Sequence, residues 1–357
     1  MNKIGLYIHI PFCKSKCPYC DFYSGEANET EIENYVLAVS KHIKSVSSQF
    51  DSVFFGGGTP SLLTKEHFKI IFDAIGERAE NAEITVEANP GDITGDYLKD
   101  LFSLGVNRLS IGAQSLNDEL LSFLGRRHRK IDIINAVSLA REVGFENISL
   151  DFMIGLPNQT KADLLEIIKF IKDNNIPHLS AYILKVEEGT PFYKKGVEDL
   201  LDEDDICEKY LFFAEEAEKA GLFQYEISNF AVKGKESRHN LKYWNSEEYL
   251  GVGPAAHSVL DGKRFFIAPD RKGYIEKIGR GISPYEGFTE GGDFKEQAML
   301  RLRLTEGLNL KSFDSENIRK KAAPFIRENL MCIENDFLFF TKKGFLLSNT
   351  IIANLIF

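Results

Sequence analysis

Six times between residues 5 and 220 a short β-rich run gives way to a longer stretch of helical character. The strand candidates are Gly5–Ile10, Ser52–Phe55, Glu83–Glu87, Arg108–Ile111, Ile148–Phe152 and Leu179–Ile183. They are rich in β-branched or aromatic residues, and most are bounded by Gly or Pro. The helix candidates are Thr30–Ser48, Thr64–Ala79, Thr94–Leu104, Lys130–Val143, Thr160–Asp173 and Asp204–Ala220. In the first of these, Ile32, Tyr35, Val36, Val39 and Ile43 recur near a helical period. Thr64, and Thr160 with Asp163 behind it, suit N-caps, and Gly105, Gly144 and Gly221 sit where helices should stop. Strands that alternate with helices pair in parallel, because a parallel neighbour needs a crossover. The fold class is therefore α/β. A doubly wound sheet and a barrel both satisfy the pattern, and both place ligands beyond the C-terminal ends of the strands. Past about residue 230 the alternation breaks. Gly251–Ser258 and Gly262–Phe266 read as loop and strand, Glu290–Gly307 as a helix, and Leu338–Leu347, with Lys342-Lys343-Gly344 at its centre, as a terminal hairpin.

Three of the five cysteines, Cys13, Cys17 and Cys20, fall within eight residues at C-x3-C-x2-C spacing. An odd, clustered count argues against a disulfide framework and toward a metal or redox centre. Three thiolates on one loop suffice for three irons of a [4Fe–4S] cubane and leave the fourth iron open to a ligand. Pro18, Phe12, Tyr19 and Phe22 are placed to shield such a cluster from water. A structural zinc site wants four ligands. His9 is the only nearby candidate for a fourth, but it belongs to a strand pattern, and no second Cys pair follows. Cys207 and Cys332 stand alone and read as ordinary thiols.

Composition narrows the partners. A net charge of −10 disfavours general nucleic-acid binding, although Arg126-Arg127-His128-Arg129-Lys130 is locally basic. No run of about 18 apolar residues exists, so no membrane span is expected. The first residues lack the apolar stretch of a signal peptide, which makes the expected location cytoplasmic.

Polar residues recur just past the strand candidates. Gly56-Gly57-Gly58-Thr59-Pro60 follows Val53-Phe54-Phe55 and lacks the lysine of a P-loop. Glu87, Gln114, Arg126 and Asp151 stand near the ends of later strands. Carboxylates and amides hydrogen-bond a ribose diol, and a guanidinium clamps a carboxylate.

The cysteine spacing, with Tyr19 before the last Cys and the glycine triplet one strand later, resembles the signature of the radical SAM superfamily. The resemblance implies that the open iron chelates the amine and carboxylate of S-adenosylmethionine (SAM), and that one electron cleaves its sulfonium to a 5′-deoxyadenosyl radical. It also implies that the glycine backbone meets the methionyl amine. Nearly the whole chain is similar to the oxygen-independent coproporphyrinogen III oxidases. Tyr225–Ala231, Arg238–Trp244 and Tyr249–Ser258 resemble the heme-chaperone group of that family, and Leu302–Leu308 resembles the family's small C-terminal domain. The implied fold is a partial (β/α)6 TIM-like barrel with a small C-terminal α+β domain. The implied division is 1–230 for the core, 231–285 for a connecting segment and 286–357 for the small domain. Tyr7, Gly57, Thr59, Glu87, Gln114, Arg126 and Asp151 would line the SAM site, joined by Tyr19. Lys185 occupies a matching position with a different side chain.

Two departures separate this chain from the porphyrin oxidases of the family. Phe22 stands where they carry a further cysteine, and only 12 residues precede Cys13. Both favour the chaperones, which bind heme and deliver it to acceptors such as respiratory proteins. In that reading His239 offers an imidazole to the heme iron, and Tyr243 and Trp244 pack on the porphyrin. The bland alternative has His239 bonding a backbone carbonyl and Trp244 filling a seam between domains. His257 is a second candidate ligand. The implied partners are heme, an acceptor protein, a reductant for the cluster and a transient membrane-protein contact. Anaerobic decarboxylation of coproporphyrinogen III is the alternative function, and another radical SAM activity, such as methyl transfer, a third.

Overall fold

The computed structural model describes residues 3–46, 48–312 and 315–356. Six parallel strands carry the architecture: β1 (Lys3–Ile10), β2 (Gln49–Gly57), β3 (Glu83–Ala88), β4 (Arg108–Gln114), β5 (Asn147–Ile154) and β6 (His178–Ile183). They lie side by side in chain order. The crossovers carry α1 (Glu29–Lys44), α2 (Lys65–Ile75), α3 (Gly95–Ser103), α4 (Asp118–Phe123), α5 (Lys130–Val143) and α6 (Lys161–Asp173). A doubly wound sheet would reverse its strand order at a switch point. This one does not, and that decides between the two architectures the alternation allowed. α1 begins at Glu29 because Asn28 and Glu31 form a reciprocal capping box there. The expected extension of this helix toward Ser48 includes Ser47, which lies outside the described residues.

Side-chain alternation explains why the sheet wraps around a polar interior. Leu6, Ile8, Val53, Phe55, Ile84, Val86, Leu109, Ile111, Ile148, Leu150 and Phe152 are buried in one apolar core with the helices. The intervening positions are Tyr7, His9, Thr85, Glu87, Arg108, Ser110, Ser149 and Asp151. With a period of two, they face the other way, into the lumen. Register then sets lumen residues beside each other: Glu87 pairs with Ser110, and Asp151 with Ser180. A TIM barrel interior is usually filled with branched apolar side chains, so a polar one marks space kept for a ligand.

The barrel is partial. After α7 (Pro191–Lys194) and α8 (Glu203–Lys219) come β7 (Phe223–Gln224) and β8 (Asn229–Ala231), and β8 joins β6 in antiparallel fashion. Then follow α9 (Arg238–Trp244), β9 (Tyr249–Val252), β10 (His257–Leu260), β11 (Lys263–Ile267), α10 (Arg271–Gly279) and β12 (Tyr285–Glu290). The start and the end of the expected loop 251–258 are thus strand, and β9 runs parallel to β1. The twelve-stranded row ends at β12 and β7 without closing on itself.

A second, smaller core gathers Ala298, Leu302, Leu308, Met331, Leu338 and Ile351. It is built from α11 (Phe294–Arg301), β13 (Leu308–Asn309), α12 (Ser315–Arg327), β14 (Met331–Glu334), β15 (Phe337–Phe340), α13 (Lys342–Leu346) and α14 (Ser348–Ile356). Two expectations are corrected here. Helix covers only Phe294–Arg301 of the stretch 290–307, starting behind the Asp293 cap. The hairpin is β14–β15 and turns at Asn335-Asp336, both with positive φ, as a tight hairpin turn requires. Lys342-Lys343-Gly344 instead opens α13, where the Thr341 hydroxyl accepts from the Gly344 N–H.

Candidate cluster and cofactor site

The cysteine loop leaves the end of β1 and is pinched at its base. Cys13 N–H donates to the Gly25 carbonyl at 3.0 Å, and Gly25 N–H to that of Pro11 at 3.1 Å. Inside the pinch Cys20 N–H donates to the Cys17 carbonyl at 3.1 Å, which turns the loop back on itself. All three cysteines are free, half-buried and on the wall of one cavity of about 490 Å³. That size is in the ordinary range for a small-molecule site. Among the described residues no three His, Cys, Asp or Glu side chains converge on a single metal ion. Burial pushes the Cys20 thiol up, and Cys17 and Cys13 add to the effect. Bound iron would relieve this by displacing the protons.

The glycine triplet is laced to the same loop. Gly58 N–H reaches the Ile10 carbonyl at 2.8 Å, and Thr59 N–H that of Phe12 at 2.7 Å. A Cβ on Gly58 would stand within 2.7 Å of both of those carbonyl oxygens. Gly57 has φ of +106°, and its Cβ would enter the His9 ring. Two donors point at sulfur: the Thr59 hydroxyl at Cys13 Sγ, 3.3 Å away, and Arg126 Nη1 at Cys17 Sγ, 3.5 Å away. Donors on sulfur suit ligated thiolates and tune a cluster's potential. Arg126 is fixed by Nη2 on the Gly112 carbonyl at 2.9 Å, while its buried Nε has no partner.

Opposite the loop stand the carboxylates. Glu87 accepts from Gly57 N–H at 3.2 Å. Burial, then the Asp151 charge, pushes its carboxyl up to about 8. Burial thus favours the proton-bound form of Glu87, which offers an O–H donor. Asp151 is also raised by burial but accepts from Ser180 at 2.7 Å and Ser110 at 3.3 Å. Gln114 ends β4 with φ of +63°, a conformation costly for a residue with a Cβ and typical of functional sites.

The cavity thus brings together Cys13, Cys17, Cys20, Tyr19, Gly57, Thr59, Glu87, Gln114, Arg126, Asp151 and Lys185. Lys185 sits at its exposed mouth in an ion pair with Glu187. Tyr7 lies one layer deeper, its hydroxyl 3.0 Å from His9 Nδ1. His9 Nε2 is 2.8 Å from the Tyr23 carbonyl, so Nε2 carries the proton and Nδ1 accepts from Tyr7. With both nitrogens engaged, His9 is no metal ligand in this structure. Phe22 is 62% exposed at the rim and does not give the shielding expected of it; Tyr19 lines the cavity beside the cysteines, and Phe12 is buried in the core.

His239 is not brought to this cavity. It is fully buried on α9, with Nδ1 2.9 Å from Ser52 Oγ and Nε2 2.8 Å from the Tyr243 hydroxyl. It stacks on Phe54, and burial, then Lys242 and Arg108, lowers its pKa to about 3. Its partners are side chains and not the backbone carbonyl weighed above. Trp244 has the Arg303 guanidinium over its ring, and His257 is exposed beside Phe266. Sequence reading missed Ser110, Ser180, Tyr182 and Asn240, which line the lumen. The first three were detectable as alternate positions on strands already identified.

The radical SAM superfamily model matches residues 7–171, and that of the HemN C-terminal domain matches 293–347. Heme chaperone HemW of Bacillus subtilis is 39% identical over 322 residues, covering 86% of this chain and 85% of its own. The chain belongs to the HemW family of radical SAM proteins. The HemW of Lactococcus lactis is 30% identical, covering 97% of this chain and 95% of its own. The HemW of Escherichia coli is 38% identical over 73% of this chain and 71% of its own. Coproporphyrinogen III oxidase (HemN) of E. coli superposes with a TM-score of 0.82 at 20% identity, covering 99% of this chain and 90% of its own. At that identity HemN shares the fold with the HemW family, and the likeness goes no further. Membership of a radical SAM family implies a [4Fe–4S] cluster and SAM. The three cavity-lining thiols, the sulfur-directed donors and the glycine cradle fit both.

Proposed function

We propose that this protein is a heme carrier on a radical SAM scaffold, which binds heme and passes it to acceptor proteins. The observation that carries the reading is the family match over most of the chain to heme chaperones. Phe22 at the rim supports it, because the expected further cysteine of the porphyrin oxidases is absent there. In this reading residues 1–230 form the core, 231–285 carry the heme-binding stretch, and 286–357 form the small domain.

Cys13, Cys17 and Cys20 hold the cluster, and the Gly57–Thr59 backbone and Arg126 receive the methionyl end of SAM. Glu87 and Asp151 offer one donor and several acceptors for a ribose, Gln114 closes that side, and Tyr7 buttresses Glu87 from below. A cluster held there would supply the electron that SAM chemistry needs. The chain's own residues exclude water from the sulfurs and fix the ligand's orientation. His239 can reach a heme iron only after Tyr243 or Ser52 lets go of its ring, so ligation requires α9 to shift. Acceptors are respiratory heme proteins met in transient contact at the membrane, and the carrier itself works in the cytoplasm with a separate reductant. Among the described residues no helix is long and apolar enough to cross a membrane.

The HemN-like fold keeps one other reading in play, anaerobic decarboxylation of coproporphyrinogen III. Anaerobic reconstitution followed by heme titration and a porphyrin assay separates the two. Stable heme binding without protoporphyrinogen IX supports the carrier. Failure of the purified protein to bind heme overturns it, and porphyrin decarboxylation establishes the oxidase.

A further inference from the structure

The cluster cavity has a second room behind it. Glu87, Ser110, Asp151 and Tyr182 line it and also line a deeper cavity of about 190 Å³. The far wall of the deeper cavity is α9, through Asn240 and Tyr243. Tyr243 also borders a third hollow of about 160 Å³, with Tyr249, Arg264 and Glu296 around it. One phenol ring thus separates the SAM side of the lumen from a hollow behind α9.

The ties that hold α9 in the lumen are polar. The Glu83 carboxylate accepts the N–H groups of Arg238 and His239 at 3.2 and 3.1 Å. Lys242 pairs with Asp51 and Glu247 at 3.0 Å each. The Tyr243 ring meets Tyr249 edge-on at 4.5 Å between centroids. The fit is close, since a Cβ on Gly5 would lie 3.0 Å from Lys242 Cδ and 3.2 Å from His239 Cε1. Yet the buried side chains of this seven-residue helix are only His239 and Lys242. So short a helix has little stability of its own. It stays where its ties and its neighbours hold it.

We infer that α9 is the floor of the SAM site: Tyr243 and Asn240 are positioning residues that back Glu87 and Asp151, and SAM binding and the seating of α9 are coupled. A ligand that fills the outer cavity and engages Glu87 and Asp151 excludes water from the room behind them and holds Tyr243 in place. The coupling is reciprocal, so release of α9 weakens SAM by the factor by which SAM restrains α9. SAM bound at the cluster end therefore keeps His239 locked on Ser52 and Tyr243. The inference rests on the SAM part of the proposed function and is independent of heme.

The test uses the full chain with its cluster reconstituted, and no heme. SAM affinity is read by calorimetry, and α9 is followed by amide exchange over 237–244 and by the emission of Trp244, the only tryptophan. SAM is expected to slow exchange in α9 and shift the Trp244 emission. Tyr243→Ala should weaken SAM by about fivefold or more while the cluster absorbance is kept. Ser52→Ala, which frees His239 on the side away from the cavity, should speed α9 exchange and lower SAM affinity by a smaller factor. It decides the matter if Tyr243→Ala fails to fold. The inference is overturned if SAM binds with α9 exchange and Trp244 emission unchanged, or if both variants bind SAM as the wild type does. If the wild type binds no SAM at all, the cofactor reading fails first and this inference falls with it.

Discussion

The lumen has two ends, and they hold their candidate ligand-binding groups differently. At the cluster end Arg126 Nε is buried without a protein partner, and the Thr59 hydroxyl and Arg126 Nη1 aim at thiols. At the α9 end Glu83 closes on two backbone N–H groups and His239 on Ser52 and Tyr243, while Asp51 Oδ1 and Trp244 Nε1 are buried there without a partner. A site built to receive a ligand leaves hydrogen-bonding capacity unfilled, because a group already paired must give up its partner first. The cysteine thiols face an open cavity, whereas the His239 ring must first give up Ser52 or Tyr243.

The sharpest way to break the comparison is at the cysteines. Cys13→Ala, Cys17→Ala or Cys20→Ala should each abolish the visible absorbance of the reconstituted cluster while circular dichroism stays that of a folded chain. A cluster that persists in all three variants removes the assignment. At the other end, Glu83→Ala leaves two N–H groups without their carboxylate. Loss of charged hydrogen bonds predicts destabilisation by about 2–3 kcal/mol, measurable in urea unfolding, with α9 the first segment to gain amide exchange. Gly58→Ala tests the cradle: overpacking against two carbonyls costs about 1–3 kcal/mol and should lower iron content per chain more than it lowers secondary structure.

pH sharpens the comparison because the two ends carry opposite signs. Glu87, raised to about 8 by burial and by Asp151, binds a proton in the folded state that the unfolded chain has lost. Its contribution to stability is therefore fully present below the ordinary carboxyl range and is lost as pH rises toward 8. His239, lowered to about 3 by burial, behaves in reverse. Its contribution is present above the ordinary imidazole range and is lost as pH falls toward 3. Glu87→Gln should flatten the alkaline limb of the cluster-free protein's stability curve, and His239→Gln the acid limb. Either variant leaving both limbs unchanged breaks the assignment of sign to that end. The smallest effect belongs to Phe22→Ser, a change on an exposed ring. Stability should move by no more than about 0.5 kcal/mol, and cluster absorbance should be kept.

The same two ends mark how far the sequence was legible. Cys13, Cys17, Cys20, Gly57, Glu87, Gln114 and Asp151 sit on or just beyond strands whose period-two pattern is local, so a linear reading puts them at the same end of the sheet, where they line one cavity. The architecture of β1–β6 was legible for the same reason. α9 was not. His239 meets Glu83 across 156 residues and Ser52 across 187, and no local pattern encodes such pairings. The motif Arg238–Trp244 showed that something was there, but not that its histidine would be enclosed by two hydroxyls. The terminal hairpin was misplaced because Lys342-Lys343-Gly344 looks like a turn when read alone, while the Thr341 cap converts it into a helix start.

The pairing of β9 with β1 has a consequence for how the chain is made. β1 is made well before β9, yet its outer neighbour is residues 249–252. Until that strand arrives, one side of β1 carries unpaired N–H and C=O groups next to the nascent cysteine loop. A bare strand edge is the kind of surface on which unfinished chains misassemble. Truncation between β8 and β9 should therefore give a chain that holds all three cysteines yet aggregates.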